Sequence, residues 1–415
     1  MTCPFAKFAS ILPIVPNTDH GKAFHSIHGS LSPSPKGSPK IALTLSEALR
    51  VGTARSHRLV EKSRGVSLLL QSLSSSSSHQ AELTFDRVDY IRFNIMLACV
   101  YVALEASMYN ARSDALLEPL FGDSDLMQRL ARSGTLLEDV EAHLEMVKLH
   151  TGASLADLAE EARERHLFSA SSSTTLVPAD VEDPVARKKL FELVQASLPI
   201  ALRLDPSNTT TNRTLTEDHI ALLHPAQIDS TLTYVLLLLQ RQNPSPSPST
   251  PKPGLLLSHA YTRYLGDLSG GQHIVRKVSK RFPTESVITS STGFAFYAFH
   301  GQDLKVRFRN AMEAGFANAT CSTSSERKEA IIMDELVQEA NQAFLLNTGL
   351  FESLLPVEFR MSPEQGEQEQ VAVLGGKVAG VKARSAMLKS LVMALLFIGL
   401  TIWFSRDLIV STQFD

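Results

Sequence analysis

The chain has 415 residues, 44% of them hydrophobic and 20% charged, which indicates a globular protein larger than one small core requires. Its 40 basic and 43 acidic residues give a net charge of −3, which excludes nucleic-acid binding through bulk positive charge. Cys3, Cys99 and Cys321 lie far apart, so a disulfide-rich scaffold and a cysteine-based zinc module are also excluded.

The order of apolar and polar segments predicts an all-α protein. Residues 1–40 are rich in proline and serine and are predicted to form a flexible tail without a signal peptide. Apolar residues then recur at helical spacing, and no long alternating strand pattern is found. Helices are predicted at 45–62, 85–112, 126–150 (with a kink near Gly134), 185–203, 220–240, 255–281, 303–317 and 325–355.

These helices define a predicted helical domain over residues 41–355. A polar stretch at about 151–215 and an exposed proline-rich linker at 243–254 interrupt it. A second polar linker is predicted at 356–385.

The segment at 386–405 has the length and composition of a membrane span. It contains AMLKSLVMALLFIGLTIWF, which carries one charge, Lys389, and would span about 28 Å as a helix. Basic residues cluster before it, whereas the short tail at 406–415 has one arginine, so the positive-inside rule places the large N-terminal part in the cytosol. We expect a C-terminal transmembrane tail anchor in the endoplasmic reticulum membrane, with a lumenal tail. A buried C-terminal helix is the alternative.

The stretch HAYTRYLGDLSGGQ contains three glycines where a helix is otherwise expected. Each of Gly266, Gly270 and Gly271 costs a helix interior roughly 1 kcal/mol relative to alanine. Gly266 and Gly270 are four residues apart and open one bare face, with Asp267 at its edge. A flat ligand could lie on this face near the carboxylate. Tight helix packing, with Asp267 paired to Arg263, explains the pattern equally well.

Two further sets of residues are candidates for ligand binding. His57 follows Leu49 and Thr53 at helical spacing, which predicts an inward-facing imidazole that is either a core histidine or an axial haem ligand. Arg50 lies two turns earlier on the same stripe. Lys305 and Arg309 are four residues apart on a later predicted helix. They either clamp carboxylates or belong to an ordinary solvated face.

Four segments resemble the haem oxygenase family, in the family's order. HAYTRYLGDLSGGQ closely resembles its signature, and LSEALRVGTARSH resembles its proximal helix. FNIMLACVYVALE is similar to the next helix, and AFLLNTGLFESL to the last core helix. The resemblance covers roughly 45–150 and 215–355, and the C-terminal anchor fits the membrane-bound eukaryotic members.

The resemblance implies a multi-helix bundle with haem between a proximal and a distal helix. His57 would be the axial ligand of the haem iron. Gly266, Gly270 and Gly271 would form the distal surface next to the haem. Asp267 and Arg263 would hold the water that supplies protons to dioxygen. The residues implied in binding the haem propionates are Arg50, Tyr261, Lys305 and Arg309.

The implied activity is cleavage of haem, as both substrate and cofactor, to biliverdin, carbon monoxide and ferrous iron. Dioxygen and NADPH-derived electrons would be required, the electrons arriving through a cytochrome reductase of the endoplasmic reticulum. A haem-binding sensor or carrier without turnover, and a membrane-bound interaction protein that kept only the fold, are the alternatives. A regulatory role for the long insertion and the tail could coexist with catalysis.

The chain departs from the family pattern in three places. Ala54 stands where the family has a basic residue three positions before the proximal histidine, which puts a propionate contact there in doubt. Residues 151–215 and the tract at 243–254 are similar to insertions. The N-terminal tail has no counterpart.

Overall fold

The computed structural model describes most of the predicted helical domain. The described residues are 43–73, 85–123, 125–172, 184–204, 214–243, 252–284, 293–299, 301, 303–321 and 326–355, with only the backbone described for 165–172 and 328. Every regular element in these ranges is helical, which confirms the all-α class. The predicted tail at 1–40, the linker at 356–385 and the anchor at 386–405 lie outside the described residues.

The described residues form fifteen α-helices and four short helical turns. In chain order the α-helices are α1 (Leu45–Gly52), α2 (Ala54–Lys62), α3 (Arg64–Ser72), α4 (Arg87–Asn110), α5 (Glu118–Gly122), α6 (Leu126–Leu130), α7 (Ser133–Thr151), α8 (Leu155–Ser172), α9 (Pro184–Ala201), α10 (Glu217–Ala221), α11 (Pro225–Arg241), α12 (Leu256–Gly266), α13 (Gln272–Arg281), α14 (Leu304–Cys321) and α15 (Glu326–Glu352). Single 3₁₀ turns lie at Leu202–Leu204, Pro253–Leu255 and Ala295–Tyr297, and a π-helical turn at Asp267–Gly271 joins α12 to α13.

Helix α4 lies at the centre of the fold. The side chain of Asp86 accepts a hydrogen bond from the backbone N–H of Asp89, and the side chain of Asp89 accepts one from the backbone N–H of Asp86. The helix therefore begins with a reciprocal cap. Every residue from Tyr90 to Met108 is buried, against α7, α9 and α11 on different sides. Among the described residues, α4 is also the one helix with the length and hydropathy of a membrane span, and the whole of that window is buried inside the protein.

The region predicted to be an insertion contributes to the core. Its predicted helix at 185–203 is confirmed as α9, which packs on α4 and α11. Arg163 of α8 forms an ion pair of 2.9 Å with Asp218 of α10. The buried His219 of α10 lies 3.1 Å from Glu141 of α7. The described parts of this stretch are therefore helical and pack on the rest of the domain.

Three predicted helices are broken in the structure. The helix predicted at 45–62 divides at Thr53, whose buried hydroxyl donates a 2.7 Å hydrogen bond to the carbonyl of Leu49. The helix predicted at 126–150 divides into α6 and α7, and the helix predicted at 220–240 divides at Pro225, which starts α11.

The exposed linker predicted at 243–254 is wrong at its C-terminal end. Residues 244–251 lie outside the described residues, but Pro253–Leu255 forms a 3₁₀ turn. Gly254 is buried there, and a Cβ on it would overlap the side chains of Leu116 and Asp114. Because this turn packs on the core, it fixes the start of α12.

Gly65 allows α3 to approach α15 closely. A Cβ on Gly65 would overlap the backbone carbonyl of Phe351, whereas a Cβ on Gly349 in α15 would meet no atom within 4 Å. We expect Gly65→Ala to destabilise the protein by roughly 2 kcal/mol through overpacking. The matched control, Gly349→Ala, should be neutral or stabilising by up to about 1 kcal/mol. Thermal unfolding measures both, and equal melting temperatures would contradict the close contact.

Candidate functional site

The glycine-rich segment forms a helix with one widened turn. Helix α12 continues through the π-helical turn Asp267–Gly271 into α13, and π turns of this kind occur often at functional sites. Gly266 is exposed, and a Cβ on it would meet nothing within 4 Å. The bare face is therefore open at Gly266, so tight helix packing does not account for that glycine. Gly270 is half-buried in the same turn.

Gly271, which was predicted to face a ligand, packs against another part of the protein. It is buried, and a Cβ on it would lie 3.1 Å from the ring of Tyr297. The next residue, Gln272, donates a 2.7 Å hydrogen bond to the carbonyl of Tyr297. The C-terminal end of the π turn is therefore attached to the 3₁₀ turn at Ala295–Tyr297.

Asp267 is held by the core helix α4. Its Oδ2 accepts a hydrogen bond from the phenol of Tyr101. Burial raises the pKa of the Asp267 carboxyl, and the positive charge of Arg263 and the bond from Tyr101 partly oppose the rise. Arg263 donates a 2.7 Å hydrogen bond to Asn347 and lies 5.0 Å from the centre of the Tyr101 ring. Arg263 thus lies near Asp267, but the hydrogen bond to the carboxylate comes from Tyr101.

Glu105, one turn after Tyr101 on α4, extends this polar network into the core. Its carboxylate accepts hydrogen bonds from the backbone N–H of Arg132 at 2.6 Å and from the hydroxyl of Ser133 at 2.5 Å. The phenol of Tyr264, on α12, donates to it at 3.3 Å. Burial raises the pKa of Glu105 to about 7, although these hydrogen bonds oppose the shift.

Buried polar contacts also attach the first half of α12 to α15. His259 is fully buried, with Nε2 2.9 Å from Oε1 of Glu339. Glu339 in turn accepts hydrogen bonds of 2.7 and 2.9 Å from Arg241 of α11. The hydroxyl of Ser258 donates a 2.7 Å hydrogen bond to the carbonyl of Leu336. The helix that carries the glycines is therefore fixed before the π turn begins.

His57 does not face the core, so the prediction of an inward-facing imidazole is wrong. Its side chain is 54% exposed. Leu49 is buried on α1, but Ser56 is the buried residue of α2, so the stripe that includes Leu49 does not continue to His57. The inward position is taken by Ser56, which donates a 2.5 Å hydrogen bond to Asn341.

The exposed imidazole has a carboxylate partner on its own helix. His57 Nδ1 lies 3.5 Å from Oε1 of Glu61, and the ring meets Phe344 of α15 edge-on at 5.5 Å between centres. Burial raises the pKa of the Glu61 carboxyl, and His57 opposes that rise. Sequence reasoning did not identify Glu61, although its i, i+4 spacing from His57 could have indicated it.

The residues predicted to bind carboxylates come from three helices, and two of the cations, Arg50 and Arg309, lie near Tyr261. Burial raises the pKa of the Tyr261 phenol, while the neighbouring hydroxyl of Thr53 opposes the rise. The positive charges of Arg309 and Arg50 also oppose the rise of this pKa. Lys305, one turn before Arg309, has its pKa lowered by burial and by Arg309.

Two contacts fix this cationic cluster, which consists of Arg50, Tyr261, Lys305 and Arg309. Glu313 of α14 accepts hydrogen bonds from the first two backbone N–H groups of α1, at Leu45 (3.0 Å) and Ser46 (2.8 Å). A carboxylate at a helix N-terminus is favourable because it meets unpaired donors and the positive end of the helix dipole. Lys305 donates a 2.8 Å hydrogen bond to Ser269 in the π turn. Helices α1 and α14 and the glycine-rich segment are thus connected.

The candidate residues offer three different kinds of group. In the described residues, no group of three or more His, Cys, Asp or Glu side chains could hold a bare metal ion. His57 instead offers a single imidazole, Gly266 an open face and the cationic cluster several positive charges. The fold and the candidate site thus define a helical protein with an exposed imidazole, a bare helix face and a cationic cluster.

Part of the chain is similar to known proteins. Residues 243–353 match the family model described as "Heme oxygenase". The chain is 39% identical to Heme oxygenase 1 of Rattus norvegicus over 119 residues, which are 28% of this chain and 38% of the relative. It is 33% identical to Heme oxygenase 2 of the same species over 158 residues, covering 33% and 47%. The chain thus spans less than half the length of these relatives.

A solved structure also aligns with the chain. Heme oxygenase 2 from Chlamydomonas reinhardtii, without heme, aligns with 76% of this chain and 100% of its own at a TM-score of 0.43 and 19% identity. The matched segment, residues 243–353, is thus similar to haem oxygenases in sequence.

The raised pKa of Glu105 predicts a pH-dependent stability. Because its folded pKa of about 7 exceeds the usual 4.5, the folded state binds more protons between these values, and the free energy of unfolding falls as pH rises. Glu105→Gln should reduce the loss of stability between about pH 5 and pH 8 by roughly 2 kcal/mol.

Urea unfolding at the two pH values measures the effect. Burial raises the pKa of Asp139 to about 7 as well, so Glu105→Gln should leave part of the slope in place. A slope as steep as that of the unaltered protein would show that Glu105 is ionised in the folded state throughout this range.

Proposed function

We propose that this protein is a haem oxygenase that opens the haem ring at a meso carbon. The products are biliverdin, carbon monoxide and ferrous iron, and the reaction uses dioxygen and electrons derived from NADPH. The observation that carries the proposal is the open face at Gly266 beside Asp267, within the segment that matches the family model.

His57 is proposed to ligate the haem iron. Its Nδ1 lies beside Glu61, which leaves Nε2 for the metal, and an acceptor at the second nitrogen orients a ligating imidazole and raises its basicity. When bound, the haem iron supplies the redox chemistry with dioxygen. His57 would hold the iron, and Gly266 would leave the protein surface beside the ring free of a side chain.

The cationic cluster is proposed to bind the two haem propionates. Arg309 and Lys305 lie on one helix, Arg50 on another and Tyr261 on a third, so the ligand carboxylates would be held from several directions. Guanidinium–carboxylate bonds are strong and directional. Such a clamp fixes the rotation of the ring, and with it the meso carbon that is cleaved.

Asp267 is proposed to hold the water that supplies protons for the reaction. The phenol of Tyr101 binds Oδ2, so Oδ1 remains to accept a hydrogen bond from water. Burial raises the carboxyl pKa, which brings it nearer to neutral pH and favours proton exchange with that water. Arg263, fixed by Asn347, limits the rise by its charge.

The cellular setting is also part of the proposal. A tail anchor at 386–405 would hold the protein in the endoplasmic reticulum membrane, with residues 41–355 facing the cytosol. The electron donor would be an NADPH-dependent cytochrome reductase of the same membrane. Confinement of both proteins to one surface raises their effective concentration.

The direct test is turnover by the full-length protein in detergent micelles. Haemin, the reductase and NADPH are added in air, and the visible spectrum and carbon monoxide are followed. We expect loss of the Soret band with the appearance of biliverdin. His57→Ala should abolish turnover until free imidazole is added, and Asp267→Asn should slow it about 100-fold. A stable Soret band would support the sensor or carrier, and absence of haem binding would support the interaction protein.

The clamp is tested by haem affinity and product identity. Arg309→Ala should weaken haem binding about tenfold and change the ratio of biliverdin isomers. Arg307→Ala is the matched control, because Arg307 lies on the same helix but donates to Asp123 at 3.0 Å and pairs with Asp125. Its haem affinity and isomer ratio should be unchanged, and equal effects of both substitutions would contradict the clamp.

A further inference from the structure

Arg132 is a buried cation to which the proposed reaction assigns no role. It lies immediately before α7 and is 4% exposed. Burial lowers the pKa of its guanidinium, and the nearby carboxylate of Glu105 opposes the fall. Because arginine stays protonated in proteins, this position carries a positive charge inside the domain. A buried charge is costly unless it is well hydrogen-bonded, so the contacts of this side chain show what it holds in place.

The guanidinium of Arg132 donates to backbone carbonyls on two segments. Nε donates to Leu130 at 2.9 Å, and Nη2 donates to Arg129. These two acceptors lie in the chain that leads into α7. Nη1 donates to the carbonyls of Phe296 and Ala298, at 3.3 Å each. The side chain therefore connects the start of α7 to the 3₁₀ turn that contains Phe296.

Two further contacts hold this 3₁₀ turn against α7. The guanidinium of Arg132 lies 4.1 Å from the centre of the Phe299 ring, as in a cation–π contact. Asp139 of α7 accepts hydrogen bonds from the backbone N–H groups of Ala295 (2.7 Å) and Phe296 (2.9 Å). A cation thus binds the carbonyls of the turn and a carboxylate binds its N–H groups, and together they fix its position.

The same 3₁₀ turn contacts the segment that carries Asp267. A Cβ on Gly271 would lie 3.1 Å from the ring of Tyr297. Gln272 donates a 2.7 Å hydrogen bond to the carbonyl of Tyr297. Direct contacts therefore run from Arg132 through the 3₁₀ turn to the π turn.

The charged and titratable groups around Asp267 come from several elements. They are Tyr101 of α4, Tyr234 of α11, Arg263 of α12, Tyr297 of the 3₁₀ turn and Arg132, while Lys305 of α14 binds Ser269 in the same π turn. Burial raises the pKa of the three phenols, so they are neutral near pH 7. Burial also raises the pKa of Asp267, and the positive charges of Arg263 and Arg132 both oppose that rise.

We propose that Arg132 is a positioning residue for Asp267, because its guanidinium holds the 3₁₀ turn on which the π turn rests and supplies a buried positive charge to the network around the carboxylate. Arg263 acts on Asp267 from the helix that carries it, whereas Arg132 acts from the start of α7. The orientation and the charge of Asp267 therefore both depend on a side chain outside the glycine-rich segment. The effect on turnover rests on the proposed haem oxygenase activity; the effect on the Asp267 carboxyl does not.

The charge is tested in the haem-free, full-length protein in detergent micelles. NMR of isotope-labelled aspartate measures the pKa of Asp267, whose signal is identified by its loss in Asp267→Asn. Arg132→Gln should raise this pKa by about one pH unit, whereas Arg132→Lys keeps the charge and should change it little. Arg92→Gln is the matched control, since Arg92 is also buried and donates to the carbonyl of Leu222 at 2.9 Å. An unchanged pKa in Arg132→Gln, or an equal rise in the control, overturns the role of the charge.

The positioning is tested by steady-state kinetics of the haem-loaded protein. Arg132→Lys loses the forked hydrogen bonds to the 3₁₀ turn, and Gln272→Ala removes the link from the π turn to Tyr297. Each should lower kcat about threefold with an unchanged KM for haem, since neither residue belongs to the cationic cluster. Arg132→Gln should lower kcat about tenfold. It should also move the acid limb of the kcat–pH profile up by about one pH unit, because Asp267 then stays protonated to higher pH.

Full activity in both Arg132→Lys and Gln272→Ala overturns the positioning role. A lower kcat in Arg132→Gln without a shift of the acid limb would show that Arg132 acts on stability alone, and overturns it as well. If Arg132→Gln does not fold, Arg132→Met replaces it in both experiments, because it leaves no buried polar group unpaired. If the unaltered protein has no turnover, the proposed function fails, while the titration of Asp267 still decides whether Arg132 acts on its carboxyl.

Discussion

The burial of α4 on every side is the constraint on which the site depends. A polar side chain on this helix cannot reach bulk water, so it must find its partner inside the protein. Tyr101 and Glu105 do so by binding the segment that carries the glycines, through Asp267 and Tyr264. The hydrogen bonds that satisfy the core helix therefore also orient the carboxylate of Asp267. Stability of the core and placement of the candidate acid are the same set of interactions.

The order and existence of the helices could be predicted because an apolar stripe of helical period is a property of the local sequence. The positions at which the predicted helices break could not be predicted. Thr53 separates α1 from α2 with φ −102° and ψ 0°, although threonine at that place is equally compatible with a continuous helix. His57 lies beyond this break, and its side chain is exposed instead of inward-facing. The prediction for the proline-rich stretch erred in the other direction, since its end is ordered where an exposed linker was expected. Gly254 packs against Leu116, a contact that composition does not reveal.

The residues of the candidate site could be predicted where the local sequence pattern is unusual. Glycines inside a helix have a cost, so the segment around Gly266 is conspicuous in the sequence. Glu61 leaves a weaker mark by its spacing from His57. Tyr101 and Glu105 show no such pattern, since they lie in an apolar run. Their partners are far along the chain, and Asp267 is 166 residues from Tyr101. Pairings of this kind are set by tertiary packing, which a single sequence does not encode locally.

The charged residues of the site form two separate groups, and the carboxylate of Asp267 belongs to a different group from the cationic cluster. Asp267 is compensated by buried Arg263 and, further away, by Arg132, so its charge does not require the surface cations. Arg50 and Arg309 therefore remain close to Tyr261 at the edge of the site, where like charges repel one another until a carboxylate arrives. Such a cluster gains more from binding a dianionic ligand than a cluster already paired within the protein. Because the two groups are independent, a ligand can be clamped by its carboxylates without neutralising the residue proposed to supply its protons.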